Sequence, residues 1–521
     1  MIPIDLQVTA HSLRAVAEEM GAVLIRSAYS PNIKERRDCS TALFDQRGRM
    51  ITQAEHIPVH LGAMPEAVAA VMNLAPAQGE IYVLNDPYRG GTHLPDITMV
   101  SRLSTGFAVT RAHHADVGGM EPGSEPAFSH ELLQEGIVLP PVRLTNEVMS
   151  VLLANVRTPR ERNGDLRAQI AAHRFAERRM EEICLRRGHA SVLSAMEALF
   201  DYSERMVRAA IAQLPDGRYV AEDTLEPIEG ELTIRATVTV SGDEVEIDFT
   251  GTSPQHAGNL NCPLAVAQSA AFFVLRCITE PDLPASGGAF APVHVKAPEG
   301  CLVNARWPHA VVAGNTETSS RIVDVLFRAF NQAWPGMAQG QGTMNNVILG
   351  NSQFTYVETV GGGQGACAWA DGPSAVHVAM TNTLNTPVEA LELAYPLRVE
   401  RYALRLGSGG AGHHRGGDGI IRETRVLQDC RLSVIAERRA VAPQGEAGGM
   451  PGLPGRTLLN GVLQPAKFTR QLRAGDLLRL ETPGGGGYGV PGEQVEPLRL
   501  KHSRSADEAY ETAEATTPGR L

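Results

Sequence analysis

Residues 81–119 read IYVLNDPYRGGTHLPDITMVSRLSTGFAVTRAHHADVGG. Three short apolar stretches, IYVLND, ITMVSRL and FAVTRAHHAD, are separated by polar, turn-rich loops, which predicts strands joined by tight connections. The same segment carries Asp86, His93, Asp96, His113, His114 and Asp116. His and Asp recur three apart, in His93-Leu94-Pro95-Asp96 and in His113-His114-Ala115-Asp116, each beside a glycine pair where the backbone can bend sharply. Pro95 argues against a helix, so these side chains are expected to project from an ordered loop next to strands. Mixed imidazole and carboxylate donors suit a divalent ion such as Zn²⁺, Mn²⁺ or Fe²⁺. Asp and His also occur in turns simply because they bond nearby backbone. Two copies bracketing one pair of strands strengthen the metal reading.

Outward from this segment, Leu13, Val16, Met20, Val23 and Leu24 recur at helical spacing and predict a helix over 9–28. Residues 160–213, rich in Arg, Glu, Ala and Leu, predict one or two long helices with a break near their start at RNGD, 162–165. In LTIRATVTVSGDEVEIDFTG, Ile234, Ala236, Val238 and Val240 alternate with polar residues. SGD then turns the chain, and Val245, Ile247 and Phe249 alternate again, which predicts a hairpin. Helices are expected over 263–279 and 318–334. From about 395 onward RVERYALRL, GIIRETRVL and RLSVIAE predict strands cut by glycine turns. The fold class expected is α+β and multidomain, with mixed α/β N-terminal and middle parts and a β-rich, glycine-rich C-terminal part. The expected divisions are a metal-site domain at 1–215, a middle domain at 216–394, a β-rich domain at 395–495 and a mobile polar tail at 496–521.

The 521 residues carry a formal net charge of -11, which disfavours nucleic acid or an anionic membrane as a partner. Seven cysteines are spread singly with no C-x-x-C, so neither a disulfide framework nor a thiolate zinc site is expected, and a reducing cytoplasm fits. The N-terminus does not read as a signal peptide, and no stretch approaches the about 20 apolar residues of a membrane helix. The 52 glycines cluster at 361–365, 407–419, 445–455 and 484–489, predicting tight turns and close backbone approach. No G-x-x-x-x-G-K-[ST] occurs, so the glycine runs are not read as phosphate cradles and the chain offers no nucleotide site of its own. No G-x-S-x-G elbow occurs either, which disfavours a serine hydrolase. Two further polar clusters lie upstream. Asp38 follows a basic run, as a partner of Arg36 or Arg37 or as a distant carboxylate ligand, and His56 and His60 flank Pro58.

Ten blocks in order carry a family resemblance: SPNIKERRDCSTALFD, AEHIPVHLGAMPE, NDPYRGGTHLPDI, AHHADVGG, DFTGTSPQ, GNTETSSRIVD, QGTMNN, MTNTLNTPVEALE, SGGAGHHRGGDGIIR and TPGGGGYG. From about residue 5 to 490 the chain resembles the hydantoinase B/oxoprolinase family, which includes the corresponding large subunit of acetone and acetophenone carboxylases. The resemblance implies a B-type subunit working with an A-type ATPase subunit, which binds ATP and phosphorylates a carbonyl oxygen. A hetero-tetramer or larger assembly is implied. It puts metal ligands at His93, Asp96 and His113, with Asp38 as a further carboxylate. Asp116, His114 and His60 are the implied catalytic residues, Asp116 and Asp86 also being positioned to orient ligands. His56 and Asn85 would line the site. Relatives often carry a second His where Ala379 stands; if that His touches substrate, the resemblance implies a substrate different from that of the commoner oxoprolinases.

The function implied is metal-assisted ring opening of a carbonyl-phosphorylated lactam or hydantoin, a hydrolase reaction on a cyclic amide. In it Asp116 or Asp38 serves as general base. The alternatives are a subunit of an ATP-dependent ketone carboxylase and a non-catalytic scaffold for the ATPase subunit.

Overall fold

The computed structural model of the chain describes residues 4–54, 57–226, 230–279, 285–334 and 336–492. His56 and the expected tail at 496–521 lie outside the described residues. The segment quoted first forms the middle of a six-stranded sheet. Its strands are β1 (Cys39–Asp45), β2 (Met50–Ala54), β3 (Ile81–Leu84), β4 (Asp96–Arg102), β5 (Gly106–His113) and β6 (Val142–Arg143). They lie in the order β2-β1-β5-β4-β3-β6 with every pairing antiparallel. All residues of β1 and β5 are buried, because the sheet is covered on both faces. On one face Leu13, Val16, Met20 and Leu24 of the helix Ile4–Ser27 pack with Ala168 and Ala172 against Cys39, Leu43 and Ala108. On the other, Met64, Ala67, Val68 and Val71 of the helix Ala63–Met72 meet Ala42, Phe44, Val100 and Val109. A strand buried on both faces loses the apolar–polar alternation of a half-exposed one, which is why these strands read as apolar runs.

The long helical region is two helices, Pro159–Arg187 and His189–Ile211, and the break falls at Gly188, whose φ is 86°. The expected break at RNGD is corrected: residues 162–165 lie inside the first helix. Tertiary contacts override the breaker composition. A Cβ on Gly164 would stand 2.3 Å from Tyr29 Cδ2, so only glycine admits Tyr29. Asp165 Oδ1 accepts the backbone N–H groups of Tyr29 (2.8 Å) and Ser30 (2.9 Å), and Arg162 donates to Asp165 Oδ2 at 3.0 Å. These bonds offset the roughly 0.5–1 kcal/mol cost of a helical glycine.

The predicted hairpin is present. Strands β7 (Gly217–Leu225), β8 (Leu232–Ser241), β9 (Glu244–Asp248) and β10 (Val293–Lys296) form a sheet in the order β10-β9-β8-β7. The turn at Gly242 (φ 62°) joins β8 to β9, and Ile234, Ala236, Val238, Val240, Val245, Ile247 and Phe249 all face one core. The helices Leu264–Ile278 and Ser319–Phe330 cover that face.

Two further sheets complete the fold. One joins β11 (Asn346–Gly350), β12 (Thr355–Glu358), β15 (Cys430–Ile435) and β18 (Phe468–Leu472) in the order β12-β11-β15-β18. The other joins β13 (Leu397–Arg405), β14 (Gly419–Val426), β16 (Arg456–Leu459), β17 (Val462–Gln464) and β19 (Leu477–Glu481) in the order β13-β14-β19-β16-β17. They share a core that includes Leu349, Tyr356, Leu432, Phe468, Ile420 and Leu480. The pairing of β11 with β15 carries hydrogen bonding across the expected boundary at 395.

The four glycine clusters converge beside these sheets as extended segments bonded to one another. Gly485 N donates to Gly417 O (2.9 Å), Gly410 N to Gly485 O (2.8 Å), and Gly487 N to Met450 O (2.9 Å). A Cβ would lie 2.1 Å from Gln364 O at Gly485 and 2.0 Å from Gly485 O at Gly416. Adjacent backbones are close enough to exclude any side chain. Gly485→Ala should therefore destabilise the chain by about 1–3 kcal/mol or more, read as a lower urea midpoint; an unchanged midpoint would show that the segments can part freely.

A second expectation concerns pH. His173 is buried between Ser101 Oγ (2.7 Å) and Thr110 Oγ1 (3.1 Å), and burial lowers its pKa from 6.5 to about 3. The folded chain keeps the imidazole neutral, whereas the unfolded chain takes up a proton below pH 6.5. This contribution to stability is complete above pH 6.5 and is lost as the pH falls toward 3, by about 1.4 kcal/mol per pH unit. Urea unfolding across that window should show a shallower pH slope for His173→Gln than for the parent; equal slopes would refute the assignment.

Candidate metal centre

The antiparallel register brings the start of β4 beside the end of β5 and the start of β1. Asp96 stands directly opposite His113, and Ala112 opposite Cys39. His113 N donates to Asp38 O at 3.0 Å, so Asp38, His113 and Asp96 meet at one end of three neighbouring strands. His93 arrives from the loop before β4. Asn85 holds this loop by donating from Nδ2 to Leu94 O (2.8 Å) and Ile137 O (3.0 Å). Arg111 ties it to the sheet, Nη2 donating to Gly90 O at 2.9 Å.

Asp96 is the hub. Its Oδ2 accepts from Thr92 Oγ1 (2.8 Å) and lies 3.1 Å from His93 Nδ1 and 3.4 Å from His60 Nε2, while its Oδ1 lies 3.5 Å from His113 Nδ1. His60 is itself held through Nδ1 to Ser40 Oγ at 2.9 Å. With their Nδ1 atoms toward Asp96, His93 and His113 turn Nε2 toward Glu125. Glu125 Oε1 is 3.7 Å from His93 Nε2 and 3.6 Å from His113 Nε2. Those separations are too long for hydrogen bonds. They are close to the spacing of ligand atoms that share one ion at about 2.1 Å, roughly 3.0–3.5 Å. His93 Nε2, His113 Nε2 and Glu125 Oε1 are all buried without a hydrogen-bond partner. Among the described residues this trio is the grouping of His, Cys, Asp and Glu whose ligand atoms converge within 4.8 Å. Buried polar atoms left unmatched by protein are costly, and the donor set fits a divalent cation.

The carboxylates give the cluster a negative potential that draws a proton to His93, and a metal ion binding there displaces that proton. Burial alone would lower the His93 pKa, but the Asp96 and Glu125 carboxylates outweigh it and raise it to about 10. Burial opposes ionisation of Asp96 and Glu125 as well, yet the facing imidazoles hold Asp96 well below the usual carboxylate range and lower Glu125. The trio borders a cavity of about 30 Å³, above the about 10–15 Å³ that one water needs. Arg36, Asp38, His60 and Asp96 also line it, with Asn315 and Thr316 from the π-helical turn Gly314–Thr318. Ile57, Val59, Met344, Val357 and Met380 supply an apolar wall, and Thr359, Thr381 and Thr383 supply hydroxyls.

Of the residues singled out in the sequence, Asp38, His60, His93, Asp96 and His113 thus share one cavity. Asp116, His114, Asp86 and Asn85 do not line it. Asp116 is fully committed: it accepts from Gly118 N (3.1 Å), Gly123 N (3.1 Å), Arg157 N (3.0 Å) and Arg157 Nη1 (2.9 Å). These bonds fold the glycine loop that returns Glu125 to the cavity and leave Asp116 outside it. His114 also lies away from the cavity. It faces the opposite side, Nε2 against Gln169 Oε1 at 3.0 Å, and burial lowers its pKa to about 4. Asp86 caps the turn Pro87–Arg89 through Tyr88 N at 3.0 Å. Ala379 does not line the cavity; it packs against the core to which the lining residue Met380 belongs.

Sequence reasoning misses Glu125. The only sequence signal for it is the run Gly118-Gly119-Met120-Glu121-Pro122-Gly123-Ser124, which must reverse the chain. Glu121 has the same chemistry four positions earlier, but it pairs with Arg431 at 2.7 and 2.8 Å. Asn346 is missed as well; from the start of β11 its Nδ2 donates to Glu125 Oε2 at 2.8 Å.

Comparison with known proteins identifies the family and the fold. Residues 2–491 match the hydantoinase B/oxoprolinase family. The chain is 35% identical to 5-oxoprolinase 1 of Arabidopsis thaliana over 93% of its own length, and spans 42% of that relative. It is 34% identical to the B-type subunit of a putative D-/L-hydantoinase from Pseudomonas sp. (strain NS671), covering 96% of this chain and 91% of that one. Among solved structures, the ATP-dependent caprolactamase from Pseudomonas jessenii superposes with a TM-score of 0.85 at 29% identity, over 94% of this chain and 91% of that chain. Acetone carboxylase in its nucleotide-free structure shares the fold, with a TM-score of 0.85 at 18% identity over 98% of this chain and 78% of that chain. The chain belongs to the hydantoinase B/oxoprolinase family.

Proposed function

We propose that this chain is the B-type part of an ATP-dependent enzyme that opens cyclic amides. It acts on a lactam or hydantoin carbonyl phosphorylated by an A-type ATPase subunit. The observation that carries this reading is the convergence of unpartnered, buried His93 Nε2, His113 Nε2 and Glu125 Oε1 on one point beside an apolar wall. A divalent ion, when bound there, supplies Lewis acidity toward the substrate and its attacking water. His93, His113 and Glu125 form the core of its site, with Asp96 and Asp38 as the adjoining carboxylates.

The remaining roles follow from the contacts. Asp96 fixes the ring orientation of His93 and His113, as a carboxylate behind a metal-binding imidazole does. His60, anchored on Ser40, positions Asp96 from the cavity wall. Asn346 aims Glu125. Ile57, Val59, Met344, Val357 and Met380 exclude water and suit the aliphatic part of a ring. Asp38, which lines the cavity, is the carboxylate available as general base once Asp116 is committed elsewhere. Ring opening is favoured over ketone carboxylation by the greater identity to the caprolactamase chain and its fuller coverage.

Two outcomes are expected. The isolated chain with Mg·ATP and a lactam should be silent, and co-expression with an A-type ATPase should yield a stable hetero-oligomer that couples ATP hydrolysis to ring opening. Turnover by the isolated chain would overturn the two-part reading. Elemental analysis should find one divalent ion per chain, largely lost in His93→Ala, His113→Ala, Asp96→Ala and Glu125→Ala but kept in His114→Ala. Full metal content in the first four would remove the centre of this mechanism.

A further inference from the structure

Arg36 poses a separate problem in the same cavity. It is 1% exposed and borders the cavity, and among the described residues no carboxylate comes within ion-pair distance of it. Its partners are neutral. Nη1 donates to Val357 O (2.6 Å) and Asn32 Oδ1 (3.3 Å), and Nη2 to Thr359 Oγ1 (2.7 Å) and Thr383 Oγ1 (3.3 Å). Its Nε is buried with no partner. Three other fully buried arginines, Arg162, Arg321 and Arg438, each meet carboxylates within 4 Å. Arg111 meets none, but it stands outside the cavity wall. An unpaired buried cation is expensive, and at a cavity wall a ligand can bring the missing counter-charge.

The surroundings are arranged for that arrival. Because Thr359 and Thr383 accept from Arg36, their hydroxyl protons are directed away from the guanidinium. The two oxygens lie 2.8 Å apart, and His377 Nε2 stands 3.3 Å from Thr383 Oγ1; with the imidazole proton on Nε2, Thr383 donates to Thr359 and the Thr359 hydroxyl is left to donate. Both threonines line the cavity. One part of the wall therefore offers a fixed cation and a hydroxyl donor, while another offers imidazoles and carboxylates suited to a metal ion.

We propose that Arg36, with the hydroxyls of Thr359 and Thr383, forms an oxyanion subsite beside the metal centre. The molecule processed there accordingly carries a phosphate or carboxylate group. The assignment rests on the cavity being the reaction site, as argued above. It makes Arg36 a residue that selects substrate by charge, through charge-assisted hydrogen bonds.

The test is calorimetric titration of the metal-loaded full chain with inorganic phosphate in one arm and acetate in the other. Wild type should bind at least one of the two anions. Arg36→Met should weaken that binding roughly tenfold to a hundredfold, Arg36→Lys should weaken it less, and both should keep the metal by elemental analysis. Phosphate selectivity would identify a phosphorylated substrate, and acetate selectivity a substrate carboxylate. Thr359→Val, which removes a donor without removing charge, should also weaken binding and serves if Arg36→Met does not fold. Equal anion affinity in wild type and variants, or loss of metal from Arg36→Lys, would overturn the subsite; the latter would mean that Arg36 only balances the ligand carboxylates. Anion binding that depends on Arg36 in a chain that takes up no metal would leave this subsite standing and sink the metal reading instead.

Discussion

The site depends on the register of β4 against β5. With Asp96 opposite His113, their side chains project from the same face of the sheet, about 4.5–5.5 Å apart at Cβ. A slip of one residue would turn one of them to the other face. Register is strongly specified here because both faces of the sheet are buried, so a slip would also expose Met99, Val100, Val109 and Ala112 to the wrong layers. The apolar core thus holds in place a polar cluster that is costly to bury by itself.

That cost explains the supports around the cluster. Three carboxylates and three imidazoles border the cavity. Several are held from behind: His60 by Ser40, Glu125 by Asn346, and Asp96 by Thr92. Among the atoms that stay unmatched, His93 Nε2, His113 Nε2 and Glu125 Oε1 converge on one point. The supports come from distant parts of the chain, since Asn346 begins a strand of the third sheet and Asn315 lies on the turn before a middle helix. The first sheet therefore supplies the ligand ends, and the later parts of the chain close the cavity over them. The glycine segments pack backbone against backbone beside the two C-terminal sheets, and from β12 and its end Val357 and Thr359 reach Arg36.

Much of this is legible along the chain. The hairpin of β8 and β9 can be read because each strand has one buried face, and alternation is a local signal. The strands of the first segment and the grouping of His93, Asp96 and His113 follow from residue types near glycine turns. The break expected at RNGD is absent because Gly164 and Asp165 look like a turn only until Tyr29 and Ser30 are brought against them. Asp116 resembles a ligand because its residue type and spacing match Asp96, yet its oxygens are taken by the backbone of its own loop and by Arg157.

Periodicity, turn residues and ordered motifs are properties of neighbours in the chain. The strands, most of the helices, the family and the loops that carry the chemistry were therefore already present in the order of the amino acids. Which side chains face the cavity was not, because that depends on how distant segments pack. His113 and His114 are adjacent in sequence, but successive side chains at a strand end point to opposite faces, one toward Glu125 and the other toward Gln169. Glu121 and Glu125 are chemically identical, and long-range partners alone separate them, Arg431 for the first and Asn346 for the second. Direction and distant pairing are fixed by packing, and no local pattern encodes them.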